Sequence, residues 1–146
     1  MSQIIENGKR AKKRIVVDTS ILISAVIVDG AYRKLLRKLL TAGFELCIPQ
    51  EVIDEFQEII KQKKFTRYQP IFVEVFEELR KSSILLPYPT RHKYILEESR
   101  EDEGIINACA ENSIDYLITS DKRTVGRYNG LTVIIAQEFY STFLSN

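Results

Sequence analysis

The stretch RIVVDTSILISAVIV, residues 14–28, opens the fold. Arg14-Ile15-Val16-Val17 is a short β-branched run that reads as a strand buried on both faces, and Asp18 ends it. Thr19 and Ser20 suit a helix start, and the apolar residues 21–28 continue it. A buried strand that turns at once into a helix is the first half of a β-α-β unit.

Working outward, the same alternation recurs. Residues 32–42 carry Leu35, Leu36, Leu39 and Leu40 at helical spacing and stop at Gly43, a core stripe with a dimer interface as its alternative. Residues 44–48 read as a strand. Pro49 then opens a helix with Val52, Ile53, Phe56, Ile59 and Ile60 inward. A basic turn, KQKKFTRYQ, leads to an amphipathic helix over 71–79, and a strand over 84–86 precedes a loop with Pro87 and Pro89. Ser99-Arg100-Glu101-Asp102 matches a capping box and introduces a helix with Ile105, Ile106, Cys109 and Ala110 inward. Residues 116–119 form a buried strand ahead of Asp121, and 132–136 form the last strand before a short C-terminal helix. Strands alternating with helices predict an α/β fold, a three-layer α/β/α sandwich on a mainly parallel sheet of four to five strands. Residues 1–13 read as a flexible basic arm and 14–146 as a single domain, which suits a chain of 146 residues.

Composition narrows the function. The 45% apolar and 28% charged content is that of a globular domain. No apolar stretch reaches the roughly 20 residues of a membrane span, and the N-terminus lacks the apolar core of a signal peptide, so a cytoplasmic protein is expected. Cys47 and Cys109 lie far apart and read as buried thiols, and the single histidine, His92, argues against zinc. The net charge of +1 excludes a uniformly basic coat, but it hides an asymmetry. Residues 1–40 hold nine basic and three acidic side chains, leaving 12 of the 21 basic and 17 of the 20 acidic groups for the rest.

In open α/β sheets ligands bind beyond the carboxyl ends of the strands, where strand order reverses. Asp18 and Asp121 follow strands directly, Asp102 lies in the first turn of a helix, and Glu55 lies on the helix after the second strand. Four converging carboxylates without matching cations would repel one another, and a hard divalent ion such as Mg²⁺ or Mn²⁺ removes that cost. Each acid also has a plainer reading. Asp18 suits a helix N-cap, Asp102 the acid of the capping box, Asp121 a turn residue, and Glu55 a solvated face shared with Glu51, Asp54 and Glu58.

The segments VVDTSILISA (16–25), EVIDEF (51–56), EDEGIINACA (101–110) and DYLITSD (115–121) together resemble PIN-domain ribonucleases, and within them a VapC-like group of toxin–antitoxin toxins. The resemblance runs in order from Arg14 to Phe143. It implies a metal-dependent endonuclease for single-stranded RNA. Asp18, Glu55, Asp102 and Asp121 would then be catalytic and hold one or two Mg²⁺ or Mn²⁺ ions, with Glu103 as a further ligand and Glu101 beside it. Thr19, Ser20, Thr119 and Ser120 would contact carboxylates or phosphate. Lys122, Arg123 and Arg127 would bind RNA. A homodimer and an antitoxin protein are the implied partners, with no membrane. The chain departs from the family pattern at Ser20, where Asn is commoner, and at Thr124, where many relatives carry another Asp. These departures motivate an alternative, a PIN-like module that binds RNA or protein with weak or no nuclease activity. A haloacid-dehalogenase-type phosphatase is disfavoured, because Asp18-Thr19-Ser20 lacks the second Asp two residues on.

Overall fold

The computed structural model describes residues 12–97 and 99–145, so most of the expected basic arm over 1–13 lies outside the described residues. Six strands form one sheet: β1 (Arg14–Val17), β2 (Glu45–Pro49), β3 (Ile84–Leu86), β4 (Tyr116–Thr119), β5 (Gly126–Tyr128) and β6 (Leu131–Ile135). Their order is β3-β2-β1-β4-β6-β5. All neighbours run parallel except β5 and β6. Flanking helices are α1 (Thr19–Ile27), α2 (Ala31–Thr41), α3 (Gln50–Ile60), α4 (Gln69–Ser82), α5 (Arg100–Glu111) and α6 (Ala136–Phe139).

The expected sandwich is present, but four to five strands was too few. The sixth strand, β5, returns antiparallel on β6 through Asn129 (φ 50°) and Gly130 (φ 93°). Positive φ at both central residues is what a two-residue type I′ hairpin needs, and Asn-Gly is its strongest local signal. Other differences are shorter. The basic turn is a 3₁₀ segment over Lys63–Tyr68, α4 starts two residues earlier and ends three later than periodicity predicts, and Pro49 closes β2 ahead of α3.

The core explains the order. Ile15, Val16 and Val17 of β1 and Leu117 and Ile118 of β4 are almost wholly buried, as central parallel strands covered on both faces should be. Of the leucine stripe on α2, Leu35 and Leu39 are core residues, whereas Leu40 stays exposed. From β1 the chain builds outward through β2 to β3. It then crosses back over β1 to β4, which makes the carboxyl ends of β1 and β4 the switch point of the sheet. Asp18 lies one residue beyond β1 and Asp121 two beyond β4.

Candidate metal centre

Asp18 is 8% exposed, and both of its carboxylate oxygens accept hydrogen bonds. Its Oδ1 accepts from the Ile21 N–H (3.0 Å) and the Ser20 hydroxyl (3.0 Å). Its Oδ2 accepts from the Thr119 hydroxyl (2.7 Å) and the Ser120 N–H (3.2 Å). The helix-cap reading of Asp18 is therefore correct, and the same carboxylate also ties α1 to the end of β4. Thr119 Oγ1 accepts in turn from the Asp121 N–H (3.0 Å), so one chain of hydrogen bonds runs from Asp18 to Asp121. The Ser20 and Ser120 hydroxyls face each other at 3.0 Å on the exposed side of this chain.

Asp102 and Asp121 meet at Ser99. The Ser99 hydroxyl is buried and lies 2.6 Å from Asp102 Oδ2 and 3.2 Å from Asp121 Oδ2. It has one proton, so it serves one carboxylate at a time. The capping-box pattern thus forms something else, because Ser99 makes no side-chain bond to the α5 backbone and spends its hydroxyl on the acids. Burial raises the Asp102 carboxyl above the ordinary aspartate range; the Ser99 bond opposes the rise, while Asp121 and Asp18 add to it. Asp121 is shifted the other way, well below that range, chiefly by its hydrogen bond from Arg123. It also accepts from the Arg123 N–H at 3.0 Å, as the cap of a short 3₁₀ turn. The turn reading of Asp121 and its place among the acids therefore coexist.

One carboxylate oxygen from each of Glu101, Asp102 and Asp121 lies within 4.8 Å of the other two. Among the described residues this is the one such cluster of three or more His, Cys, Asp or Glu side chains. The donors are all hard oxygens, with no sulfur or imidazole, which is the set that Mg²⁺ or Mn²⁺ takes. Arg123 partly neutralises it, with Nη2 at 2.8 Å from Asp121 and 3.1 Å from Glu101. One guanidinium against three carboxylates leaves the site negative. The donor set therefore fits a divalent cation.

Not every candidate sits in this cluster. Asp18 joins it through hydrogen bonds and charge rather than through the 4.8 Å group. Glu55 is half-buried on α3 and outside that group, as is Glu103, whose backbone carbonyl accepts from Asn107 (2.9 Å). Thr19 is buried with its hydroxyl unpartnered. Lys122 and Arg127 are exposed, while Arg123 is engaged with the acids.

Two residues outside the expected site support it. Asn107 is buried and brackets Tyr94, donating to its carbonyl and accepting from its N–H (both 2.9 Å), which staples the loop before Ser99 to α5. Glu51 lies against α5 at Gly104, where a β-carbon would fall 2.9 Å from its carboxylate. Burial raises the Glu51 carboxyl, and its Oε1 is enclosed without a hydrogen bond.

Residues 14–123 match a family model described as PIN domain. No curated protein sequence matches the chain. Among solved structures, VapBC2 from Rickettsia felis, bound to a DNA fragment from its promoter, is similar with a TM-score of 0.60 and 18% identity. That match covers 82% of this chain and 96% of that one. PAE2754 from Pyrobaculum aerophilum is similar with a TM-score of 0.58 and 12% identity, over 100% of this chain and 99% of that one.

Proposed function

We propose, from the premise that the chain belongs to the PIN-domain family, that it is a Mg²⁺- or Mn²⁺-dependent endoribonuclease acting on single-stranded RNA, the toxin of a toxin–antitoxin pair. The observation that carries this reading is the meeting of Glu101, Asp102 and Asp121 within 4.8 Å at the switch point of the sheet. Three acids gathered against one guanidinium repel one another, which is what a cation-binding site has and a purely structural network avoids. A homodimer, a cytoplasmic location and an antitoxin protein belong to the same proposal. Among the described residues no helix is long and apolar enough to cross a membrane.

Asp102, Asp121 and Glu101 would hold the ion, with Asp18 beside them and Glu55 as the further ligand that the family resemblance implies. A bound divalent ion would lower the pKa of a coordinated water and supply positive charge against a phosphodiester. The chain's own residues do the rest. Asp18 ties the end of β1 to the end of β4 through its two bonds from Thr119 and Ser120, and Thr119 in turn accepts from the Asp121 N–H. Ser99 orients Asp102 and Asp121. Ser20 and Ser120 offer hydroxyls to a phosphate oxygen on the open side, next to the exposed Lys122.

The test is cleavage of single-stranded RNA with and without EDTA, alongside Asp18→Asn. Cleavage that needs no metal, or that survives the substitution, overturns the reading. Arg123 closing on Asp121 and Glu101 favours a second reading, a module that binds RNA or protein without cutting, since a cation of the chain then sits where the ion would. Calorimetric titration with Mn²⁺ separates the two. Binding abolished by Asp102→Asn or Asp121→Asn goes against the second reading, and its absence in the unmodified chain goes against the first.

A further inference from the structure

A cavity of about 610 Å³ opens beside the acid site, between α2, the end of β6 and α6. Its volume falls in the range of small-ligand sites, roughly 300–1,000 Å³. Leu35, Ile135 and the rings of Tyr32 and Tyr140 give it apolar walls, and Lys34 and Lys122 line it with positive charge. Lys34 and Lys38 lie 5.6 and 5.1 Å from the centre of the Tyr140 ring. Ser120 also lines it. The same Ser120 donates its N–H to Asp18 and faces the Ser20 hydroxyl. Cavity and acid site therefore meet at Ser120.

We propose that this cavity is a nucleotide subsite, seating one base of single-stranded RNA against Tyr32 and Tyr140 while Lys34 and Lys122 take the flanking phosphates. The proposal rests on the ribonuclease reading and deepens it. The chemistry favours a nucleotide over an acidic peptide. Aromatic walls with cations beside them suit a flat π-system joined to phosphates, and every base has a face to stack. A polyanion that approaches three carboxylates also needs cations close by, and Lys34 and Lys122 supply them on the far side of Ser120. The sequence points to Lys122 but to neither tyrosine, because Tyr32 and Tyr140 lie far apart in the chain and only the packing of the C-terminal turn Tyr140–Leu144 on α2 brings them to one cavity.

The experiment uses the full chain and a fluorescein-labelled decamer of single-stranded RNA. Affinity is measured by anisotropy with Ca²⁺, and kcat and KM with Mn²⁺. Tyr140→Ala is expected to weaken RNA binding and raise KM about tenfold, with Mn²⁺ affinity unchanged and Tyr140→Phe restoring the unmodified values. Lys34→Gln, at an exposed position, is expected to reduce the slope of log affinity against log salt by about 0.7. An unmodified protein that cleaves RNA, with Tyr140→Ala and Lys34→Gln leaving affinity, KM and slope unchanged, overturns the subsite alone. An unmodified protein that neither binds nor cleaves RNA overturns the ribonuclease reading as well. Should Tyr140→Ala abolish binding of a Glu-rich peptide while RNA binding holds, the cavity belongs to a protein partner and the proposal falls.

Discussion

The two ends of strands β1 and β4 treat charge in opposite ways. At the amino ends Arg14 Nε pairs with Glu45 at 2.8 Å, and the Arg14 N–H donates to the Asp115 carboxylate at 2.8 Å. Both side chains of the Arg14–Glu45 pair are mostly buried, and Asp115 returns a backbone bond to the Arg14 carbonyl. Charge there closes the sheet. At the carboxyl ends Glu101, Asp102 and Asp121 crowd together with Asp18 nearby, and Arg123 alone of the cations is bonded to them among the described residues. Like charges at that range cost stability, and a fold keeps them for binding or catalysis. One sheet thus separates paired charge at its amino ends from crowded like charge at its carboxyl ends by the length of two strands.

Substitutions at the two ends should separate in the same way. Asp102→Asn removes a ligand and a repelling charge together. Mn²⁺ affinity by calorimetry should fall about 100-fold or more, beyond what loss of a supporting hydrogen bond costs, while the melting temperature of the metal-free protein holds or rises. Arg14→Ala should do the reverse. It takes a charged partner from the mostly buried Glu45, so stability in urea should drop by about 1–3 kcal/mol with Mn²⁺ affinity unchanged. If Arg14→Ala weakens Mn²⁺ binding, or Asp102→Asn unfolds the protein, the division between the two ends is wrong.

Legibility in the sequence follows the same line. Asp18 and Asp121 could be placed because a carboxylate after a β-branched run sits at a strand end whatever the rest does. The order and kind of most elements followed from periodicity. The Asn129–Gly130 hairpin was equally local, and its strand was missed because Gly126–Tyr128 is too short to show alternation. Side-chain choices on a helix turn were not legible. Glu101 and Glu103 lie two residues apart, on nearly opposite faces, and Glu101 is the one in the cluster, held there by Arg123. Ser99 matched a capping box, and only the approach of β4 to α5 turned its hydroxyl from backbone to carboxylates. Thr124 is buried with its hydroxyl on the Asp121 carbonyl at 3.0 Å, so it closes the turn that presents Asp121.

Ser99→Ala tests that bridge with a smaller effect. The hydroxyl stabilises ionised Asp102, so its loss should weaken Mn²⁺ binding about 10- to 100-fold. A pH series sharpens the result. The Asp102 carboxyl is raised by burial, so a metal must displace its proton, and affinity falls as pH drops through that raised value. Removing the Ser99 bond raises the carboxyl further and shifts the fall to higher pH. Without metal the linkage has the opposite sense. A raised carboxylate costs stability once it ionises, so the metal-free protein loses stability as pH climbs from the ordinary aspartate value through the raised one. Asp102→Asn should flatten that slope, and a slope that persists in Asp102→Asn assigns it to another group.

Arg123 decides how sharp the boundary between the two ends is. Its guanidinium bonds Asp121 at 2.8 Å and Glu101 at 3.1 Å, doing for the carboxyl end what Arg14 does for the amino end. It differs in being half exposed, at 51%, where water screens a pair and leaves it weak. A divalent ion competes for the same oxygens, and the weak pair yields to it. Arg123→Ala should therefore tighten Mn²⁺ binding by about two- to fivefold, the amount that pairing energy allows, and let the Asp121 carboxyl return toward the ordinary range. A loss of Mn²⁺ affinity would mean the opposite, that Arg123 aims Asp121 at the ion. The carboxyl end would then depend on its cation as fully as the amino end does.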